Sequence, residues 1–414
     1  MTEPLPKPKR KNPLARTNQP LLPPSSRSRK AHGFTRAAAH GRFMLQRCDE
    51  CGQYTYPARD ACPNCLSSNL PFRDAPANGT LLSETQIGVT SDPYYREKMP
   101  WRTGLVKLEC GPTVVAHLHG DCGGPGSLLT LSLQLDRAGQ AVFFGKPLSE
   151  TPHMEDDRQL RELTADPKHR RILLTDGRSS LASPLVQALK KAGAAKIFVG
   201  IADRWKPFDG RAALEVIEGV ELVDLDLTSE RSVQDLAKDI GAKVDILINT
   251  ADHVRQVHLF DAGAAASARD TLDHTLMGLM RLAQAFGPVM RSRGADGVNS
   301  AAAWVNVLSV HALSSVPQFG IHSASQAACL SLSQWLRHEL RQGGVRLMNA
   351  FAGPLDTEWF QTVPPPKLAP KTLADAIVDG LKRGLEDLYV GDVAKDLEAR
   401  LLDNPKAVER EAGQ

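Results

Sequence analysis

Two Cys-x2-Cys pairs stand near the start of the chain: Cys48 with Cys51, then Cys62 with Cys65 ten residues further on. Each pair is a knuckle, and two knuckles at this spacing bring four thiolates to the corners of a tetrahedron. That is the geometry Zn²⁺ adopts, with Zn–S near ~2.3 Å. Gly52 follows the first pair and Pro63 lies inside the second, so both knuckles carry residues suited to tight turns. Four protein sulfurs leave no open coordination position, so a zinc held by Cys48, Cys51, Cys62 and Cys65 is structural. Iron is the competing metal. The seven cysteines are odd in number, with four of them within eighteen residues. This distribution suits a metal site in a reducing compartment better than a disulfide framework. Cys110, Cys122 and Cys329 read as small buried hydrophobes.

At 414 residues the chain exceeds one ordinary domain. No apolar run is long enough to span a membrane and no signal-peptide pattern opens the chain, so a cytoplasmic protein without membrane association is expected. The net charge of +3 hides an asymmetry: Lys7, Lys9, Arg10, Lys11, Arg16, Arg27, Arg29 and Lys30 face a single early acid, Glu3. Rich in proline and poor in large apolar groups, residues 1–33 read as a disordered basic tail that cannot offset its ordering entropy. A solvated tail is the plainer reading; contact with nucleic acid or an acidic surface is the alternative.

Past the knuckles, short alternating segments are separated by turn signals. Thr80–Thr85 follows Asn78-Gly79, Gly104–Glu109 and Thr113–Leu118 flank Cys110-Gly111-Pro112, and Leu128–Leu135 precedes Gln140–Phe144. This spacing predicts a small β-barrel, with a helix over Phe34–Leu45 leading into the ribbon. The run Arg42-Phe-Met-Leu-Gln-Arg-Cys-Asp-Glu-Cys-Gly, with Tyr56-Pro57-Ala-Arg59 and Cys62-Pro63-Asn-Cys65, resembles the DUF35 family. The resemblance covers residues 34–148. It implies a rubredoxin-like zinc ribbon before an OB-fold, in a non-enzymatic subunit that binds thiolase-like enzymes and helps handle acyl-CoA. OB barrels also bind oligonucleotides, but the predicted strands lack basic-aromatic interleaving, so nucleic acid is not expected.

Residues 149–168 are polar and read as an interdomain linker. From residue 169 to 405 the texture becomes alternating strand and helix, the mark of a parallel sheet covered on both faces. Strands are predicted at Arg171–Thr175, Lys196–Ile201, Val220–Leu225, Val244–Asn249, Ala303–Leu308 and Val345–Ala350, and helices at Leu181–Ala192 and around residues 265–290 and 323–342. The layout is Rossmann-like, a doubly wound α/β sheet; residues 406–414 read as a tail.

This second region resembles the short-chain dehydrogenase/reductase family over residues 169–392, with most landmarks altered. The family's Thr-Gly-x-x-x-Gly-x-Gly turn appears here as Thr175-Asp-Gly-Arg-Ser-Ser-Leu-Ala182, so Asp176, Ser180 and Ala182 stand at its three glycine positions. A Cβ at each place crowds a diphosphate, and a carboxylate at Asp176 adds repulsion of roughly 1 kcal/mol or more. Asn-Asn-Ala-Gly becomes Asn249-Thr250-Ala251-Asp252, and the catalytic Asn position is Thr275 ahead of Gly278. Ser309 is kept, but His322 stands at the tyrosine position and Gln326 at the lysine position. The phenol needs the lysine cation to reach a working pKa, and Gln326 has no charge to offer. Asp203, near the end of the second strand, reads as a solvated loop carboxylate, with a ribose contact as the alternative.

The expectation is therefore a multi-domain accessory protein, a zinc ribbon and OB-fold joined to a pseudo-dehydrogenase domain that binds no NAD(P). Its partner would be a thiolase-like or aldolase enzyme, with acyl-CoA reached through that partner. Self-assembly through the second domain is expected, and the apolar segment Ser323–Leu340 suits it, although core packing explains that segment equally well. The alternative is an enzyme: an atypical NAD(P)-dependent oxidoreductase, or a CoA-ester lyase using Ser309 and His322.

Overall fold

The computed structural model describes residues 2–7, 21–23, 29–295 and 300–412. Its first unit is built mainly from Leu21–Asp166. A 3₁₀ turn over Arg29–Ala31 runs into helix α1 (His32–Ala39), so order begins before the expected boundary at residue 33. Lys9, Arg10, Lys11, Arg16 and Arg27 of the basic tail lie outside the described residues.

Helix α1 is shorter than the expected Phe34–Leu45. Gly41 takes φ +66°, its amide bonds Ala38 O at 3.0 Å, and the Arg42 amide bonds Ala37 O at 2.8 Å. This is the Schellman pattern, in which a left-handed glycine closes off the last carbonyls. The chain then leaves as strand β1 (Met44–Arg47), so Leu45 belongs to a sheet. β1 pairs antiparallel with β2 (Tyr54–Thr55) and β3 (Phe72–Asp74) to form the ribbon. Phe34 stacks edge-on with Tyr56, Phe72 and Phe143, which seats α1 against ribbon and barrel together.

The barrel closes in the order β4 (Asn78–Ile87), β5 (Trp101–Leu108), β6 (Thr113–Leu118), β8 (Ala141–Pro147), β7 (Leu128–Leu135). A bulge between Leu81 and Ser83 bends β4, as barrel closure requires. Leu81, Val106, Leu118, Leu129 and Leu133 fill the interior. A short helix α2 (Pro93–Arg96) sits between β4 and β5.

Residues 149–168 are not an open linker. Asp157 caps helix α3 (Arg158–Leu163) by accepting the Leu160 amide at 2.8 Å. Leu160 and Leu163 are buried against Val142 and Phe144 of β8. Glu162 meets Lys98 Nζ at 2.9 Å, Arg137 Nε at 3.0 Å and the Tyr94 hydroxyl at 3.1 Å. Burial pushes the Glu162 carboxyl up, but Arg137 and Lys98 outweigh it and hold the group at about 2. The polar composition of this stretch concealed two apolar anchors one helical turn apart.

The second unit is built mainly from Pro167–Leu381 and Asp387–Gln414. Seven parallel strands lie in the order β11 (Val220–Asp224), β10 (Lys196–Ile201), β9 (Arg171–Leu174), β12 (Ile246–Asn249), β13 (Ala303–Ser309), β14 (Arg346–Ala352), β15 (Asp387–Val390). β15 was not read from the sequence, since its short, mostly half-buried run lacks the apolar continuity of the central strands. β12 and β14 are buried along their whole length, as strands covered on both faces must be.

The helices are α4 (Ala182–Lys191), α5 (Arg211–Glu215), α6 (Glu230–Ile240), α7 (Ala264–Leu272), α8 (Gly278–Ser292), α9 (Gly320–Arg341), α10 (Pro370–Arg383), α11 (Asp392–Asp403) and α12 (Pro405–Glu411). α12 runs through residues expected as a tail, and 413–414 lie outside the described residues. Strand order reverses between β9 and β12, and crevices at such reversals open at the carboxyl ends of the strands.

Candidate functional site

The ribbon knuckles are built by backbone turns. The Cys48 amide bonds Gln53 O at 2.9 Å and the Gly52 amide returns to Cys48 O at 2.9 Å, with Gly52 at φ +73°. The second knuckle repeats the pattern: Leu66 bonds Cys62 O at 3.0 Å and Cys62 bonds Ser67 O at 2.8 Å. All four Sγ atoms lie within 4.8 Å of one another, with Cys48–Cys65 at 3.5 Å and Cys51–Cys62 at 3.6 Å. These separations far exceed a disulfide bond of ~2.05 Å. They approach the ~3.8 Å edge of a tetrahedron built on ~2.3 Å Zn–S bonds. The Asn64 amide also donates to Cys62 Sγ at 3.4 Å. The donor set fits Zn²⁺ closed on all sides, the structural role expected of Cys48, Cys51, Cys62 and Cys65.

In the second unit, a cleft of about 660 Å³ opens where β9 and β12 end. Its floor holds Asp252, whose Oδ1 accepts three hydrogen bonds: from His322 Nε2 at 2.8 Å, Gln326 Nε2 at 3.1 Å and the His253 amide at 2.8 Å. Gln326 Oε1 in turn accepts the Ser309 amide at 3.0 Å, so the glutamine ties the end of β13 to the cleft floor. His322 is fully buried on α9, whereas the Asp252 side chain remains 39% exposed to the cleft. Burial pushes His322 down and Asp252 up. Each partner's charge outweighs this, holding the imidazole above its ordinary value and the carboxyl below.

Ser309 and His322 do not form the pair that the enzyme alternative would use; the serine is a turn residue and the histidine a buried, hydrogen-bonded one. Ser309 Oγ accepts the His311 amide at 3.2 Å and caps a 3₁₀ turn. His322 spends Nε2 on Asp252, and its buried Nδ1 has no hydrogen-bond partner. Thr275 lies in a π-helical turn between α7 and α8, where its hydroxyl bonds back to Thr271 O at 2.6 Å. His322 and Gln326 are thus brought together around Asp252, while Ser309 touches Gln326 through its backbone and Thr275 makes a helix bond.

In the altered glycine turn, Gly177 is the position that tolerates no side chain: a Cβ there would lie 2.6 Å from Val199 Cγ1. Asp176 accepts the amides of Arg178 and Ser179, filling with a carboxylate the kind of amide nest that holds an anion. Ser180 is exposed and Ala182 buried at the start of α4. Asp203 takes φ +49° and pairs with Lys206 Nζ at 2.5 Å.

Arg178 was not singled out in the sequence. Its guanidinium bonds the carbonyls of Ala202 (3.2 Å), Asp203 (2.9 Å), Lys206 (2.9 Å) and Pro207 (3.4 Å), and lies over the Phe208 ring at 5.0 Å. His311 was also missed. It stacks on Phe319, meets His322 edge-on at 5.8 Å, and is driven down to about 4 by burial and the neighbouring His322. The signal for Asp252 was present, as an aspartate where the family motif has glycine; nothing local marked Arg178 or His311. Among the described residues lining the cleft there is neither tyrosine nor lysine.

Two further concavities lie outside the cleft. Helices α8 and α9 form a groove of about 230 Å³ with Gly287, Leu332 and Leu336, beside Trp335, which is 61% exposed. In the first unit, Phe34, Tyr56, Val115 and Phe143 line a pocket of about 430 Å³. Cys122 and Cys329 are buried, which pushes each thiol up to about 12, while Cys110 is half-buried. Among the described residues, no helix is long and apolar enough to cross a membrane.

Family models match all three folded parts. Residues 35–71 match the ChsH2 rubredoxin-like zinc ribbon domain, 72–134 the ChsH2 C-terminal OB-fold domain, and 170–367 the short chain dehydrogenase family. Farnesol dehydrogenase of Aedes aegypti is 27% identical over 42% of this chain and 72% of its own length. A short-chain dehydrogenase of Talaromyces islandicus is 30% identical over 34% of this chain, which spans 48% of that protein. Among solved structures, a short chain dehydrogenase from Burkholderia cenocepacia in complex with NADP aligns with a TM-score of 0.53 at 28% identity, covering 59% of this chain and 97% of that one. One from Novosphingobium aromaticivorans, at 20% identity and a TM-score of 0.51 over 58% and 87% of the two chains, shares the fold.

Proposed function

We propose that this chain, which joins a zinc ribbon and OB-fold of the ChsH2 type to a short-chain-dehydrogenase domain, is an accessory subunit of acyl-CoA metabolism. In this reading the ribbon and barrel bind a thiolase-like or aldolase enzyme and complete its acyl-CoA site, and the dehydrogenase-like domain serves assembly. The observation that carries it is the Asp252–His322–Gln326 cluster. Hydride chemistry of the family's kind requires a phenol beside a cation at that place, and the cleft floor offers instead a carboxylate whose inner oxygen is saturated by protein donors. Asp176 adds a second negative group in the turn where a diphosphate would settle. The groove beside exposed Trp335 supports self-association through α8 and α9.

A second reading, an NAD(P)-dependent oxidoreductase or a CoA-ester lyase working through Ser309 and His322, is favoured by the likeness to the NADP-bound Burkholderia structure. The separate engagements of Ser309 and His322 weigh against the lyase version. Affinity purification of the tagged chain from its host at moderate salt, with assay of bound zinc and nucleotide, tests both. A stoichiometric thiolase-fold partner with zinc and no nicotinamide is the expected result. A solitary chain carrying NAD(P), or millimolar calorimetry showing NADPH binding, would overturn it.

A further inference from the structure

Asp252 divides its two oxygens sharply. Oδ1 takes three protein donors, whereas Oδ2 has no hydrogen-bond partner among the described residues, and the side chain is open to the cleft. A carboxylate pinned in this way is a fixed acceptor, because little further ordering is needed for it to receive a donor. Beside it, Thr250 lines the same cleft. Thr250 is only 5% exposed, and its Oγ1 has no hydrogen-bond partner. A buried hydroxyl left unsatisfied is costly, and it gains when a ligand supplies the missing bond.

The charge around these two groups has one dominant sign. Asp176, Asp209, Asp252, Asp356 and Glu358 line the cleft. The lining cations are Arg178 and Arg255, and both are engaged. Arg178 is bound to four carbonyls, and Arg255 bonds Val254 O at 2.8 Å while lying 4.8 Å over the Trp359 ring. That stacking also shows the aromatic wall already stabilising a cation through its π-face.

We propose that the cleft binds an organic amine, with its ammonium group received by Asp252 Oδ2 and Thr250 Oγ1 and its carbon frame lying towards Trp359 and Phe360. An ammonium supplies donors to both oxygens and relieves the repulsion between Asp176 and Asp252, which a phosphate would increase. The fold thereby keeps the position of its ligand crevice while inverting the charge of what it accepts. This assignment concerns the second unit alone and does not rest on the partner read for the first.

The test is calorimetry on the full-length zinc-loaded protein at fixed ionic strength, with spermidine, 1,8-octanediol and inorganic pyrophosphate as probes. Spermidine should bind with one site per chain while the diol and pyrophosphate do not. Asp252→Asn should weaken spermidine about tenfold, equivalent to about 1.4 kcal/mol, and Thr250→Val should weaken it several-fold. Far-ultraviolet circular dichroism of each variant establishes that it is folded. If Asp252→Asn fails to fold, Asp176→Asn and Thr250→Val carry the same comparison. Pyrophosphate binding in preference to spermidine would overturn the assignment. So would spermidine binding that all folded variants leave unchanged, since that is unspecific attraction to an acidic surface. Loss of the thiolase-fold partner from the purified protein would bear on the accessory reading and leave this result standing.

Discussion

Asp252 Oδ1 stands 2.8 Å from His322 Nε2, joining the loop after β12 to the buried face of α9. The pair is a charge interaction with a defined pH range. His322 is raised above its ordinary 6.5, so its contribution is complete below that value and is lost as pH rises through the folded pKa. Asp252 is lowered below its ordinary 3.8, so its contribution is complete above that value and is lost as pH falls through the folded pKa. Both act together between 3.8 and 6.5. His322→Gln should therefore lower stability most in that window, on the order of 1 kcal/mol after discounting for the water that reaches Asp252. Denaturant titrations of both proteins from pH 4 to pH 9 check this; a mutant deficit that grew at alkaline pH would contradict it.

His311 works in the opposite sense. Its folded pKa is depressed to about 4 by burial and by His322, so the unfolded chain binds more protons than the native one between that value and 6.5. His311→Leu should relieve an acid penalty on the order of 2 kcal/mol near the lower end. Midpoints of urea unfolding at pH 5 and pH 7.5 should converge for the variant and diverge for the natural protein.

Removing the metal should disable the ribbon alone. Cys62→Ser should yield protein with no bound zinc against one zinc per chain for the natural sequence, and a chelator should reproduce the effect. The energy at stake is large, about 10–16 kcal/mol for structural zinc in small modules. Metal analysis with limited proteolysis between residues 40 and 75 reads the result. Retention of zinc by the variant would mean that three thiolates and a water suffice.

The helix within the supposed linker is packed on the barrel through Leu160 and Leu163. Leu160→Ala should destabilise the first unit by about 2–5 kcal/mol, the cost of a large-to-small change at a buried site. Leu160 is 3% exposed against Val142 and Phe144, so a thermal-shift change of less than a degree would refute the packing described.

Much of this was legible beforehand because it rests on spacing. Lys196–Ile201, Thr113–Leu118 and Leu128–Leu135 are strands over the very residues their alternation or apolar run marked out. The zinc cysteines converge because a knuckle is a local object. Failures came where a distant partner decided the outcome. Leu45 follows β3 into a sheet rather than extending α1, and α3 depends on Phe144 of β8, which composition does not reveal. In the cleft, Asp252 drew notice only as a departure from a motif. Its bond to His322 spans seventy residues, so no window along the chain could join them.

Arg178 has a consequence for how this domain behaves over time. Its guanidinium ties the first turn to the loop after β10, bound to four carbonyls and laid over Phe208. The bridge is covalently part of the chain, so it never dissociates and its effect does not vary with metabolite supply.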